Sequence, residues 1–276
     1  MPRIVTLTTD FGSGSGYVAE VKGRLLHAGH DIALVDVSHD VPAHDIRAAA
    51  WLVAQACPAF PAGSLHVVVV DPGVGTHRRL VWARLGAGPH HQEFLCPDNG
   101  VLSFVLRRLP LAEARRIDPP ADAAATFHGR DVLAPLAVRL LGGMPTAAIG
   151  AAITDLTTLA WPEPRHSAGR MAGEIVHVDA FGNLVTSLPA SLLPQVAAAG
   201  GLQVGSHAIG TIVRTYGDAA RGTPVVLAGS QGLIEAAVVE GRANERLGCS
   251  VGAPVWFDAD RESPGDQQIY KHRGLR

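Results

Sequence analysis

The stretch Val67-Val68-Val69-Val70-Asp71-Pro72-Gly73-Val74-Gly75-Thr76-His77-Arg78-Arg79 decides the fold. Its unbroken β-branched run reads as a buried strand. The run stops at a carboxylate, and a Pro/Gly turn then leads to two arginines. In open α/β sheets, ligands bind in the crevice at the carboxyl ends of the strands. Asp71 is delivered to that edge and Arg78 is brought back by the turn, so the segment reads as a site. The plainer alternative is an Asp that opens a turn, a frequent use of that residue.

Outward from this strand, the first 150 residues alternate. Strand-like runs fall at Ile4–Thr8, Ile32–Val37, Leu65–Val70, Leu80–Arg84 and Phe94–Cys96. Helical patterns fall at Val18–His27, Asp45–Ala56, Val101–Arg108 and Arg130–Leu141. Alternation of this kind predicts an α/β domain, a mostly parallel sheet covered by helices. The pattern fades around 151–170, where Pro162 and Pro164 lie in a polar stretch, and the boundary is placed there. Residues 1–160 are read as the α/β domain and 161–276 as a smaller all-β, barrel-like domain. The latter has short strands at Gly173–Asp179, Leu184–Ser187, His207–Val213, Pro224–Ala228, Leu233–Val239 and Pro254–Phe257. One helical pattern, Ala190–Ala198, interrupts them, and the polar tail from Arg261 is expected to fray.

Composition narrows the function classes. The chain has 276 residues, 47% of them hydrophobic and 17% charged, so it is not a disordered chain. Its formal net charge is −2 with no block of like charge, which argues against a nucleic-acid surface. The three cysteines, Cys57, Cys96 and Cys249, fit neither a disulfide framework nor a zinc knuckle and suggest a reducing cytoplasm. The chain starts on a strand without the pattern of a signal peptide. No apolar run reaches the ~18 residues of a membrane span.

Other segments carry candidate chemistry. Thr9-Asp10-Phe11-Gly12 follows the first strand, and the glycines after it could cradle phosphate. The dinucleotide fingerprint fails, however, because its last glycine is Tyr17. Asp10 suits a ribose diol, which offers a carboxylate two donors. His128, in Thr126-Phe127-His128-Gly129-Arg130-Asp131, opens a helix whose dipole disfavours the imidazolium, so a neutral ring is expected there. Pro97-Asp98-Asn99-Gly100, Gly229-Ser230-Gln231-Gly232 and Asp179-Ala180-Phe181-Gly182-Asn183 each read as turns. In the last, the aromatic and the amide also suit a purine, by stacking and by pairing with the base edge. Asp10, His39, His44, Asp71 and His128 are conceivable metal ligands, but no metal-binding spacing supports them, and no metal is expected.

Taken in order, these motifs resemble the S-adenosyl-L-methionine (SAM) hydroxide adenosyltransferases. These are SAM hydrolases that form adenosine, and they are related to fluorinase and chlorinase. The motifs are Thr9-Asp10-Phe11-Gly12, Ser38-His39 with Asp45-Ile46, Val70–Thr76, Pro97–Gly100, Phe127–Asp131 and Asp179–Asn183. They span about residues 3–257. The resemblance implies hydrolysis of SAM to adenosine and methionine, with SAM as substrate and no cofactor. It implies a homotrimer with sites between the first domain of one subunit and the second domain of the next. The family's Asp–Arg–His set falls on Asp71, Arg78 and His128, and its ribose-binding Asp on Asp10. Its contacts to the nucleoside and methionine fall on Asp179, Phe181, Asn183, Ser230, Glu235 and Val238. The halogenating relatives lack the Asp–Arg–His set, so the resemblance is to the water-using branch.

Two positions depart from the pattern. Ser15 stands where the family has an Asp that meets the methionine ammonium, and Gln231 stands where the halogenases have an Arg. Two alternatives therefore stay open: a hydrolase of another 5′-substituted adenosine, and a non-catalytic adenosine- or SAM-binding protein.

Overall fold

The computed structural model describes residues 2–27 and 31–260. The predicted frayed tail from Arg261 lies outside the described residues. The chain divides into two compact units that part between Ala160 and Trp161.

The first unit runs β1 (Arg3–Thr9), α1 (Gly16–Leu26), β2 (Ile32–Ser38), α2 (Ile46–Ala56), β3 (Leu65–Val69), β4 (Leu80–Leu85), β5 (Gln92–Pro97), β6 (Leu111–Ile117) and α3 (Ala134–Leu141). The strands form one sheet in the order β2-β1-β3-β5-β4-β6. The pairs β1–β2, β1–β3 and β3–β5 are parallel, while β4 pairs antiparallel with β5 and β6. All five residues of β3 are buried, as expected of a central strand covered on both faces. Val5, Leu7, Val67 and Val69 pack with Val21 and Leu25 of α1 and with Leu136, Ala137 and Leu140 of α3. Burying one such side chain contributes about 1.5–3 kcal/mol, so this layer fixes where the ends of β1 and β3 emerge.

Two segments differ from the sequence expectation. Residues 101–108 form turns ending in one 3₁₀ turn, Val105–Arg107, instead of a helix. Their apolar spacing is helical, but the Ser103 hydroxyl donates to the Gly100 carbonyl and accepts the Leu159 N–H, which ties the segment into a turn. Strand β6 was not expected, because Leu-Ala-Glu-Ala-Arg-Arg-Ile is rich in helix formers. Its place at the sheet edge explains it: Glu113 lies opposite Arg84 and pairs with both Arg84 and Arg115. Charges on an edge strand also discourage pairing with another chain.

The second unit runs β7 (Arg165–Ser167), β8 (Arg170–Val178), β9 (Leu184–Pro189), α4 (Leu193–Ala198), β10 (Leu202–Val204), β11 (His207–Ile209), β12 (Pro224–Ala228), β13 (Leu233–Val238), α5 (Ala243–Leu247) and β14 (Pro254–Asp258). Its antiparallel sheet has the order β11-β10-β14-β8-β9-β13-β12, with β7 on β8. Beyond β11 the chain returns to β12: the Val226 N–H donates to the Thr211 carbonyl and the Val213 N–H to the Val226 carbonyl. The sheet thereby nearly closes into a barrel around Ile175, Leu184, Val226, Ile234 and Phe257. The expected strand His207–Val213 stops at Ile209, before Gly210. Strands β7 and β10 and helix α5 were not expected; the strands have three residues each and the helix five, too few to show a period.

Among the described residues, no helix is long and apolar enough to cross a membrane. Cys57, Cys96 and Cys249 are buried free thiols.

One buried polar network has a pH consequence. His66 on β3 is fully buried between Thr6, whose hydroxyl meets Nδ1 at 2.7 Å, and Gln92, whose Oε1 accepts from Nε2 at 3.1 Å. Burial pushes the imidazole down to about 4. Because the folded value lies below the unfolded one, this stabilisation is full above about pH 6.5 and is lost as the pH falls toward 4. The predicted loss is roughly 3 kcal/mol, by linkage. Urea denaturation of wild type and His66→Gln at several pH values checks it, since the variant should lack this part of the acid sensitivity. Parallel curves for the two proteins would refute it.

Candidate active site

Strands β1 and β3 end side by side, with Thr9 opposite Val69, so Asp10 and Asp71 leave the same edge of the sheet. Asp10 accepts the N–H of His44 at 2.9 Å, which His44 presents from a left-handed backbone (φ 67°). The carbonyl of Val70, just before Asp71, is held by the Asn99 side chain at 2.9 Å. After Asp71 the chain turns twice, with Val74 N–H donating to Asp71 O and Thr76 N–H to Gly73 O, and so returns Arg78 to Asp71.

Two glycines dock the segment 124–129 onto this edge. Gly75 (φ +77°) lies so close to the Ala125 carbonyl that a Cβ there would sit 2.7 Å from the oxygen. Gly129 lies against Val69, where a Cβ would come within 3.1 Å of its side chain. The chain then enters a π turn at Gly129–Leu133, whose last bond runs from the Ala134 N–H to the Gly129 carbonyl, before continuing as α3. The expected helix Arg130–Leu141 therefore begins with one wide turn, a feature often found at functional sites. Asp131 accepts the Ala124 N–H at 3.2 Å and is gripped by both Arg130 Nε and Nη2.

These elements assemble a three-residue cluster. Arg78 Nε meets the Asp71 carboxylate oxygens at 3.0 and 2.9 Å, and its Nη2 meets Oδ2 at 2.5 Å. The same Nη2 donates to His128 Nδ1 at 2.7 Å. The Asp71 and Arg78 side chains are only 5% and 11% exposed, and His128 is buried too. Burial, and then the Arg78 charge, push the His128 imidazole below its ordinary value, against the weaker pull of Asp71 and Asp131. The ring is therefore neutral at neutral pH.

Asp10, Asp71 and His128 line a cleft of about 290 Å³, walled by Tyr17 and Phe127. Phe11, Tyr17 and Phe127 meet edge to face, with centroids 5.2–5.9 Å apart. Ser15 caps α1 by accepting the Tyr17 N–H at 3.2 Å, so its hydroxyl serves the helix. Among the candidate metal ligands, His39 is engaged by Thr9 and Asp36. Among the described residues, no three His, Cys, Asp or Glu side chains gather as metal ligands would.

The second unit holds its own pocket, of about 870 Å³, lined by Asp179, Phe181, Asn183, Ser230, Glu235 and Val238 among others. The turn between β8 and β9 is an Asx turn: Asp179 Oδ1 accepts the N–H groups of Phe181 and Asn183 at 2.9 and 2.8 Å. Phe181 stands 75% exposed at the pocket. Asn183 Nδ2 donates to Asp179 Oδ2 at 3.0 Å and to the Tyr216 hydroxyl at 3.4 Å, and Tyr216 in turn donates to Glu235. Burial raises the Glu235 carboxyl against the Tyr216 hydrogen bond, and Asp179 adds to the rise.

The structure thus places Asp10, Asp71, Arg78 and His128 together on the first unit. It places Asp179, Phe181, Asn183, Ser230, Glu235 and Val238 together on the second. Sequence reasoning missed Tyr216, which sits in a turn closed by a Thr215/Asp218 capping box. An aromatic inside that polar turn was the available signal.

A strand-edge carboxylate clamped by arginine beside a neutral imidazole is the kind of grouping found where a proton is moved in catalysis. The comparisons supply the family. The sequence pattern of the SAM hydroxide adenosyltransferase N-terminal domain matches residues 5–150, and that of its C-terminal domain matches residues 173–256. The chain belongs to this family. A protein of Thermus thermophilus named (R)-S-adenosyl-L-methionine hydrolase is 36% identical over 264 residues, covering 92% of this chain and 98% of the relative. One of Salinispora tropica with the same name is 38% identical over 255 residues, covering 90% and 95%. A crystal structure of an uncharacterised conserved protein from Thermotoga maritima superposes with a TM-score of 0.82 at 30% identity, covering 92% of this chain and 98% of that one.

Proposed function

We infer that the chain hydrolyses S-adenosyl-L-methionine to adenosine and L-methionine, by attack of water at C5′. The observation that carries this reading is the Asp71–Arg78–His128 cluster, whose Asp71 and His128 line a cleft together with Asp10. Methionine departs as a neutral thioether, so the leaving group needs no proton. The reaction needs in-line alignment, a proton acceptor and a dry pocket. The sulfonium charge is lost as C5′–S breaks and the carboxylate charge as the water proton is taken, so charge diminishes over the step, which a water-poor site favours. Asp71 and His128 together orient the water and see to the removal of its proton, while Arg78 fixes the Asp71 carboxylate through their ion pair. The Asp71 charge disfavours a halide nucleophile.

Asp10 holds the ribose diol. Asp179, Phe181, Asn183, Ser230, Glu235 and Val238 hold the nucleoside and the methionine tail. The two sets meet between subunits of a homotrimer, the first unit of one chain facing the second unit of the next. The exposed ring of Phe181 suits such closure, because it lacks cover within its own unit. The enzyme works in the cytoplasm, without cofactor, metal, nucleic acid or membrane.

Chromatography after incubation with SAM tests the reading. Adenosine and methionine in equal amounts support it, and binding without products would overturn it. A second reading, a hydrolase of another 5′-substituted adenosine, draws on the uncharged Ser15 cap. Release of adenosine from 5′-methylthioadenosine but not from SAM would favour it. Adenosine is further expected to bind only to the assembled oligomer. Light scattering with calorimetry checks this: a monomer with full adenosine affinity would refute the shared site.

A further inference from the structure

We propose that His128 acts as a hydrogen-bond donor to the attacking water and that Asp71 alone takes the proton. The proposal rests on the hydrolase reading above and assigns the roles within its site.

The donors and acceptors of the three side chains decide the roles. A guanidinium has five N–H donors and no acceptor. Arg78 Nη2 lies 2.7 Å from His128 Nδ1, so Nδ1 must be the lone-pair nitrogen. Hydrogen-bond logic therefore places the proton of the neutral ring on Nε2. Nε2 has no partner among the described residues and is not sealed from solvent, and the ring lines the cleft. The edge offered to a ligand is an N–H. To take a proton, the ring would have to accept it on Nδ1, against the Arg78 N–H. Burial, and then the Arg78 charge, disfavour a proton on the ring against the pull of Asp71 and Asp131.

Asp71 has the opposite character. Its two oxygens carry about four acceptor sites, and Arg78 supplies two N–H groups, so capacity remains for a water proton. A carboxylate is by nature a weak base. A weak base suffices because the sulfonium is a good leaving group and the proton is transferred as the attack completes. In the step itself, the water oxygen forms the bond to C5′ and the C5′–S bond breaks with its electron pair going to sulfur. The water proton passes to the Asp71 carboxylate, which later releases it to solvent. The Nε2–H of His128 points a donor at the water oxygen, fixing which lone pair faces C5′.

Two measurements test this. In the free enzyme at neutral pH, ¹⁵N NMR of the His128 ring should show an unprotonated Nδ1 and a protonated Nε2, and the reverse tautomer or an imidazolium would overturn the proposal. In single-turnover hydrolysis, His128→Gln keeps an amide N–H near the Nε2 position but cannot act as a base. It should lose less than about tenfold, whereas Asp71→Asn should lose about 10²–10⁴-fold, the usual worth of a general base. A His128→Gln loss as large as that of Asp71→Asn would overturn the proposal. If the wild type released no adenosine, the hydrolase reading would fall, and the ring spectrum would still decide the tautomer.

Discussion

Asp71→Ala is expected to reduce adenosine formation from SAM by about 10²–10⁴-fold, the usual contribution of a positioned base. Adenosine affinity should change far less, because Asp10 and the pocket of the second unit are untouched. The separation matters, since a carboxylate that only bound the nucleoside would raise KM and leave kcat alone. Quenched-flow turnover and calorimetry on one preparation give both quantities. Turnover near that of the wild type would remove Asp71 from the chemistry.

The second large effect is on stability. Arg78 is the only side chain that pairs with Asp71 among the described residues, and it also satisfies His128 Nδ1. Arg78→Met leaves a carboxylate that is 95% covered without its counter-charge, together with an unmet ring nitrogen. Removing one partner of a buried ion pair typically costs about 3–5 kcal/mol. Chemical denaturation should show most of that loss in the transition of the first unit. Adding Asp71→Asn to Arg78→Met should recover much of the stability, because no uncompensated charge remains, while hydrolysis stays low. A double variant no more stable than the single one would mean that the loss comes from the packing of the arginine stem.

Much of this was legible in the sequence, for identifiable reasons. The run Leu65–Val70 ends on Asp71, and a β-branched run stopped by Asp-Pro-Gly has few other readings. The Asx turn at Asp179 was likewise written locally, in Asp-Ala-Phe-Gly-Asn. What the sequence hid was tertiary. Residues 101–108 have helical spacing, but Ser103 is drawn to Leu159, 56 positions away. Strand β6 is made of helix formers and exists because Glu113 faces Arg84 across the sheet edge. The bond from Arg78 to His128 joins residues 50 positions apart, and that spacing carries no pattern. Tyr216 reaches Glu235 from a turn whose polar residues advertised only the turn.

The wide turn at Gly129–Leu133 bears on how this gene tolerates change. A π turn holds one residue more than an α turn, and one residue of α-helix corresponds to about 100° of rotation. Loss of a single codon between 129 and 133 would let the helix close up as an ordinary α-helix. Everything on its N-terminal side would then swing by that angle relative to the sheet, carrying the His128 ring away from Arg78. An in-frame deletion there would keep the hydrophobic stripe of α3 and an expressible protein, yet erase the site. In this stretch the number of residues is constrained along with the identities of Gly129 and Asp131, and libraries that vary the rest should substitute and never delete.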